Sequence, residues 1–348
     1  MKHPFAWLLV AAIVTTAACS STDDEPSDPV DRIVEMHLQN AQTYYWAGPK
    51  HATRAYQQAS KALELDPENV KGRFLRAMSL IQIGGEHPER RGVAAAQVAE
   101  QELRDLKDDD DFYGWKIDLG IGWAQSEVAK LYQRRADRLE ARLRDEPQNA
   151  VGLRADREEA LERRDELLRS SNTICESVVG RGEPGADENF VALLVLNVNY
   201  TYLGATERAL EYTERAVQVA QKSRGIWERW MERPTTSQAQ FEEARAKLES
   251  ATEKELRARE ACADHLFRLK RYPAAAAHLD LVVELDPRRI EARLLRAQVN
   301  YELRRYADAR TDLKRYFALS DEDGSSPTAQ AAAELLGKCE ERIASAEG

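Results

Sequence analysis

The sequence predicts an all-α chain: an α-solenoid of helical hairpins with an irregular long-helix segment in its middle. Three observations carry that expectation. Between 256 and 319 the chain repeats itself at a step of 34 residues: Ala263 returns as Ala297, Leu269 as Leu303, Tyr272 as Tyr306, Ala275 as Ala309, Leu279 as Leu313 and Leu285 as Leu319. Self-similarity at such a step marks stacked helical hairpins. Next, Glu64-Leu65-Asp66-Pro67 through Ala77 matches Glu284-Leu285-Asp286-Pro287 through Ala297 almost step for step. Finally, apolar residues recur at i, i+3, i+4 and i+7, the period of a helix rather than a strand. The 348 residues are 43% hydrophobic, 32% charged and only 7% aromatic, which suits helices with wide solvated faces. A net charge of −10 without a basic stripe argues against a nucleic-acid partner.

The N-terminus stands apart. Met1-Lys2 is followed by the apolar run Phe5–Val14, a secretory profile too short to span a bilayer. It ends in Thr16-Ala17-Ala18-Cys19, which resembles a bacterial lipoprotein box, with Thr16 where that family usually has leucine. The resemblance implies a signal peptide over 1–18, cleavage before Cys19, and lipidation of its sulfur and new amino group. Because one acyl chain holds a protein only marginally, firm anchoring implies multiple acylation. The rival reading is an ordinary secretory signal with an incidental cysteine. Residues 19–29 are polar and proline-bearing, a flexible tether. Ser20 after Cys19 resembles outer-membrane sorting, so the expected location is the bacterial envelope, lipid-anchored and periplasm-facing. Cys175, Cys262 and Cys339 remain, an odd number that precludes full internal pairing. Cys262 and Cys339 fall on apolar helix faces, which favours buried thiols, although a Cys175–Cys339 pair stays open.

Residues 30–107 read as N-terminal hairpins. Ile33, Met36, Ala41, Tyr44 and Tyr45 make a helix ending at Gly48-Pro49; Ala52, Ala55, Ala59, Ala62 and Leu65 make its partner, closed by Asp66-Pro67. A second hairpin starts at Val70, has an enlarged turn (Gly84 to Pro88), and resumes around Gly92–Leu106. Asp108 to Asp111 reads as a charged cap for the following helix rather than a metal site, since no calcium-loop alternation or glycine accompanies it. Residues 108–185 depart from the repeat: Leu131, Leu139 and Leu143 keep one apolar face amid dense i, i+4 charge pairs, Pro147 interrupts, and Gly180–Gly185 makes a boundary loop.

Over 186–325 the hairpins return. Leu193, Leu196, Asn197 and Tyr200 face Ala209, Thr213 and Ala216; Trp227 and Trp230, three apart on one helix face, read sharply as a membrane-surface or partner contact and more plainly as packing under the long helix Gln238–Leu269. In the best-formed pair, small residues sit where two helices must approach (Ala263 and Ala275), while Leu266, Leu279 and Val282 fill the wider gap. Pro287 ends the unit. Ser326-Pro327 opens a capping helix over 326–348, with Leu335, Leu336, Cys339 and Ile343 on one face.

This combination of small helix-contact residues, a tyrosine opening the second helix and a closing proline resembles the tetratricopeptide repeat (TPR), most strongly at 256–319. The resemblance implies a TPR-like solenoid whose first helices line a groove for a protein or peptide partner. Carried over by repeat register, that groove comprises Lys71, Phe74, Met78 and Ile81; Leu194, Val198, Thr201 and Tyr202; Arg257, Glu260, Asp264, Phe267 and Arg268; and Leu294, Gln298 and Tyr301. Apolar anchors mixed with charges suit an amphipathic or extended segment.

No catalytic constellation is legible. His3, His37, His51, His87, His265 and His278 are scattered, without metalloprotease spacing or a nucleophile elbow. A metal shared by His265 and His278 is the sharper reading and a pair of structural histidines the plainer one. The expectation is a non-catalytic scaffold or adaptor for partners of an envelope assembly, with no cofactor and no metal. The rivals are an accessory part of a cell-wall-modifying enzyme, for which 108–185 offers the only room, and a small-ligand sensor.

Overall fold

The computed structural model describes residues 28–47, 49–86, 89–109, 114–182, 189–233, 237–320 and 326–347. Met1 to Ser27, with Cys19 and the proposed anchor, lie outside them. So do Asp110, Asp111 and the boundary loop from Glu183 onward. Among the described residues every regular element is helical: α1 (Pro29–Trp46), α2 (Ala52–Leu65), α3 (Val70–Glu86), α4 (Glu89–Asp109), α5 (Gly114–Asp145), α6 (Ala150–Val178), α7 (Phe190–Tyr202), α8 (Thr206–Met231), α9 (Gln238–Arg268), α10 (Tyr272–Leu285), α11 (Ile290–Glu302), α12 (Tyr306–Leu319) and α13 (Pro327–Glu347). None is long and apolar enough to cross a membrane. The chain divides between Leu203 and Gly204 into two compact units.

In the first unit, successive helices pack as antiparallel hairpins from α1 to α7. Asp28 caps α1 by accepting from the Val30 amide at 2.8 Å, and Pro29 adds a preset first-turn φ. Alanines 41, 59 and 62 with Val34, Leu38 and Leu75 make the first seam. Ile33 and Met36, expected on the apolar face of α1, are exposed instead, because the helix turns Val34 and Leu38 inward. The hairpin of α3 and α4 closes backbone to backbone, since a Cβ at Gly84 would sit 2.9 Å from the Gly92 carbonyl. The expected long charged hairpin is α5 with α6, joined by a 3₁₀ turn at Pro147–Asn149.

The inner half of α5 is buried on all sides, from Lys116 to Leu131 apart from half-buried Asp118 and Glu127. Its glycines explain how. A Cβ at Gly120 would lie 3.0 Å from Met78 Sδ and from Leu103, and one at Gly122 would lie 2.8 Å from Cys175 Sγ. A polar network crosses the same region. Ser126 Oγ donates to Asn199 Oδ1 (2.6 Å), Asn199 Nδ2 donates to Ser171 Oγ (2.8 Å) and Asn172 Oδ1 (2.9 Å), and Ser171 Oγ donates to the Gly122 carbonyl (2.7 Å). Interior polar atoms are tolerated because they satisfy one another. Asn197, on the same helix as Asn199, is buried as well.

In the second unit, α8 to α13 pack in chain order. Trp227 and Trp230 are half-buried on α8, the helix that lies along α9. A capping box starts α9: Ser237 Oγ accepts from the Gln240 amide, and Gln240 Oε1 accepts from the Ser237 amide at 3.1 Å. The two repeats share one turn geometry. Lys270 and Arg304, 34 residues apart, both take left-handed φ (58° and 60°), and the amides of their neighbours Arg271 and Arg305 donate back to the Leu266 and Asn300 carbonyls at 2.8 Å. The closing seam gathers Ala297, Ala309, Leu313, Tyr316, Ala332 and Cys339, flanked by Leu335 and Leu336. Thus α13 covers the last hairpin. Cys175, Cys262 and Cys339 are all free buried thiols, so Cys175 and Cys339 are not bridged.

The long internal match has a structural counterpart. Arg76 on α3 reaches Glu102 on α4, and Arg296, at the matched position on α11, reaches Asp312 on α12 at 2.7 Å. In both units this arginine ties the first helix of a hairpin to the second.

Candidate functional site

The groove positions fall into three settings. On α3, Phe74 is 2% exposed and Met78 and Ile81 are 0% exposed. They are core side chains rather than groove lining, because α5 lies on α3 and Gly120 brings its backbone against Met78. Lys71 stays half-exposed and pairs with Glu35 on α1 at 3.2 Å. On α7, Leu194, Val198, Thr201 and Tyr202 are half-buried. Thr201 Oγ1 donates to the Asn197 carbonyl of its own helix (2.7 Å). Burial raises the Tyr202 hydroxyl pKa, and Glu127 and Asp137 raise it further against the opposing charges of Arg134 and Arg164.

The third setting is the face formed by α9 and α11 in the second unit. Arg257, Asp264, Phe267, Leu294, Gln298 and Tyr301 are all half-buried, and Arg268 is exposed. Arg268 pairs with Asp264 at 2.8 Å. Phe267 stacks obliquely on Tyr272 (centroids 5.6 Å apart) and Tyr301 edge-on to Tyr306 (5.4 Å), the tyrosines that open each second helix. Leu294 and Tyr301 back onto the α11–α13 seam. These positions lie on the first helices of the two repeats, α9 and α11, and apart from Arg268 they are half-buried.

The electrostatic centre of this setting is a group that repeat register marks only in part. Glu260 is 8% exposed; its Oε2 lies 3.5 Å from Arg289 Nη1, and its Oε1 has no hydrogen-bond donor among the described residues. Arg289 also contacts Glu253, and lies 3.3 Å from Asp286. Arg257 pairs with Glu253 at 2.5 Å. Burial pushes the Glu260 carboxyl up to about 7; Glu253 and Glu291 push the same way, while Arg289 and Arg257 oppose them. For Arg289, burial works against the charge, but Glu260, Glu253 and Asp286 outweigh it and raise its pKa. Burial lowers that of Arg257. Three carboxylates (Glu253, Glu260 and Asp286) thus share two guanidiniums, Arg257 and Arg289, and Glu291 adds a like charge near Glu260. The helix α8, also packed on α9, contributes elsewhere: its Arg224 meets buried Glu255 at 2.7 Å, and Arg259 completes that triad at 2.8 Å.

Arg289, Glu253 and Asp286 went unmarked in the sequence, yet a signal was there. In the matched stretches Arg289 stands where Asn69 stands. Asn69 accepts from the Gly72 amide at 2.9 Å and so caps α3, whereas α11 has no side-chain cap at Arg289. An arginine at a helix N-terminus forgoes the cap and opposes the helix dipole. It is held there by three carboxylates instead.

The two histidines of this unit sit beside these charges. Burial lowers His265 to about 4, with Asp264 and Arg268 acting on it in opposite senses, and burial and Arg259 both lower His278, so both are neutral at neutral pH. Among the described residues no group of three acidic, histidine or cysteine side chains is placed to hold a metal.

The class of protein follows from the helices: among the described residues, an all-α chain of helical hairpins packed in chain order. No family model and no curated protein matches the chain. Solved structures similar to it include helical-repeat proteins. The TPR2AB domain of yeast Sti1, in complex with pHSP90, is 15% identical over 89% of this chain and 99% of that one, at a TM-score of 0.31. A tetratricopeptide repeat protein from Parabacteroides merdae is 14% identical over 89% and 99%, also at 0.31. Yeast Tom70 is 13% identical over 94% of this chain and 67% of its own, at 0.35. At such TM-scores the hairpin architecture stands on this chain's own geometry.

Proposed function

We propose that the chain is a non-catalytic scaffold or adaptor that holds protein partners on the α9–α11 face. The observation that carries this reading is the contrast within one repeat register. Phe74, Met78 and Ile81 are sealed, while Leu294, Gln298 and Tyr301 stay half-open beside Arg257 and Asp264. Half-open aromatic and apolar side chains bordered by charges are what a helical-groove binder presents to a segment. The accessory-enzyme rival needs a compact non-repeat domain, and residues 114–178 are occupied by the α5–α6 helical hairpin, which favours the scaffold.

We further propose that the protein is lipid-anchored through Cys19 in a bacterial envelope and faces the periplasm, on the strength of the sequence before residue 30. Two experiments test the two halves. Globomycin treatment is expected to accumulate the uncleaved precursor, and unchanged processing sinks the lipoprotein reading. A photo-crosslinking amino acid at Gln298 is expected to trap a defined protein in envelopes. Trapping none overturns the scaffold, and turnover of a cell-wall substrate by the purified protein then favours the accessory enzyme.

A further inference from the structure

We infer that the α9–α11 face selects a basic protein segment, seating an arginine or lysine side chain of the partner on the Glu260 carboxylate. The inference rests on the scaffold reading and adds the chemistry of what is held. Three features of the face point to a cation rather than an anion.

The first is the orphaned acceptor. Glu260 is 8% exposed, and Oε1 lacks a donor among the described residues although Oε2 has Arg289 at 3.5 Å. Interior acceptors are almost always satisfied, and leaving a buried charged one empty is among the more expensive arrangements in a protein. A partner's cationic N–H donor completes it once the side chains covering this buried oxygen move aside. The second is the charge balance. The two guanidiniums nearest Glu260 are already committed: Arg257 to Glu253, and Arg289 to Glu253, Glu260 and Asp286. With Glu291 added, acids outnumber bases around the site. An incoming carboxylate would meet arginines already paired with acids and carboxylates that repel it. An incoming cation relieves the imbalance. The third is apolar surface: Phe267 on α9, and Leu294 and Tyr301 on α11, are half-buried, giving seats for the aliphatic stem and for neighbouring side chains. Burial that holds Glu260 near neutrality then means that seating the cation releases a proton.

The experiment uses the full chain and three fluorescein-labelled decapeptides that share their apolar residues and differ only in carrying lysine, arginine or glutamate at the charged positions. Anisotropy titrations at pH 8 are compared for the natural protein, Glu260→Gln and Glu284→Gln; Glu284 is an exposed acid on α10, so its loss removes the same charge from the surface. The expected result is binding of the lysine and arginine peptides, weakened at least about tenfold by Glu260→Gln, as for truncating one member of a desolvated pair. Glu284→Gln should bind as the natural protein does. Calorimetry near pH 7 in buffers of different ionisation enthalpy should show proton release with the lysine peptide, absent in Glu260→Gln. Tighter binding of the glutamate peptide, no binding of any peptide, or equal effects of the two substitutions overturns the inference. Failure of the scaffold itself reads differently. A partner trapped at Gln298 whose capture is indifferent to Glu260→Gln leaves the scaffold standing and removes only this inference, whereas an empty crosslink removes both.

Discussion

Glu260→Gln should make the second unit more stable, and only at high pH. The side chain keeps its shape and loses its charge, so the perturbation isolates the cost of burying a carboxylate. In the folded chain the group titrates at about 7 instead of its ordinary 4.5. The sign follows from proton counting. Between those two values the folded state holds the proton more tightly than the unfolded state, so stability falls as pH rises through this window, and the whole penalty is present above 7. At 1.36 kcal/mol for each tenfold in proton affinity the interval corresponds to about 3 kcal/mol. Glutamine forms its own imperfect contacts there, so a gain of about 1–3 kcal/mol near pH 8 is expected, fading to nothing near pH 4, where the glutamate is neutral in both states. Hydrogen exchange of α9 and α11 peptides across a urea series reads this unit separately from the other. No gain at pH 8, or an equal gain at pH 4 and pH 8, refutes the reasoning.

Three further outcomes follow from the same geometry. Lys270→Gly and Arg304→Gly, at the two left-handed turn positions, should each raise the midpoint of thermal unfolding, by roughly 0.5–1 kcal/mol of stability, because glycine adopts that φ without steric penalty. Arg289→Asn should change sign with pH. Below pH 4 the new cap at α11 adds about 1 kcal/mol, while at pH 8 the loss of the guanidinium paired with Glu260 outweighs it by roughly 2 kcal/mol; urea midpoints at the two pH values decide. Gly122→Ala places a Cβ 2.8 Å from Cys175 Sγ and should destabilise the first unit by about 1–3 kcal/mol. Cys175→Ala in the same chain should recover part of that loss in a double-mutant cycle.

Much of the architecture was legible because it is written in small residues and punctuation. Ala263, Ala275, Ala297 and Ala309 are fully buried at the helix contacts, as their 34-residue spacing implies. Pro147 marks the turn of the α5–α6 hairpin and Gln238 the start of α9. What escaped were features set by helices remote in sequence. The network of Ser126, Ser171, Asn172 and Asn199 joins three helices, and polar residues spaced so far apart carry no local pattern. The inner half of α5 reads as amphipathic in sequence but is buried almost all round, because α3, α4, α6 and α7 all pack on it. The left-handed turns at Lys270 and Arg304 lack the glycine that would announce them, though Gly204, at φ 73°, is the glycine version.

The candidate face shows where repeat register stops being informative and residue chemistry takes over. Register alone treats Phe74, Met78 and Ile81 as equivalent to Leu294, Gln298 and Tyr301. The structure separates them: the first set is sealed under α5, and the second stays half-open. The difference was present in the side chains themselves. Three wholly apolar residues on one stripe need a covering helix, since exposing them forfeits about 1.5–3 kcal/mol each. Glutamine and tyrosine in the last two places keep a polar end toward water and need no cover. The same test picks out Arg289, where a capping asparagine gives way to a charge that the helix itself disfavours. A position that matches in register but departs in chemistry, against the local interest of its helix, is where we place the specificity proposed for the α9–α11 face.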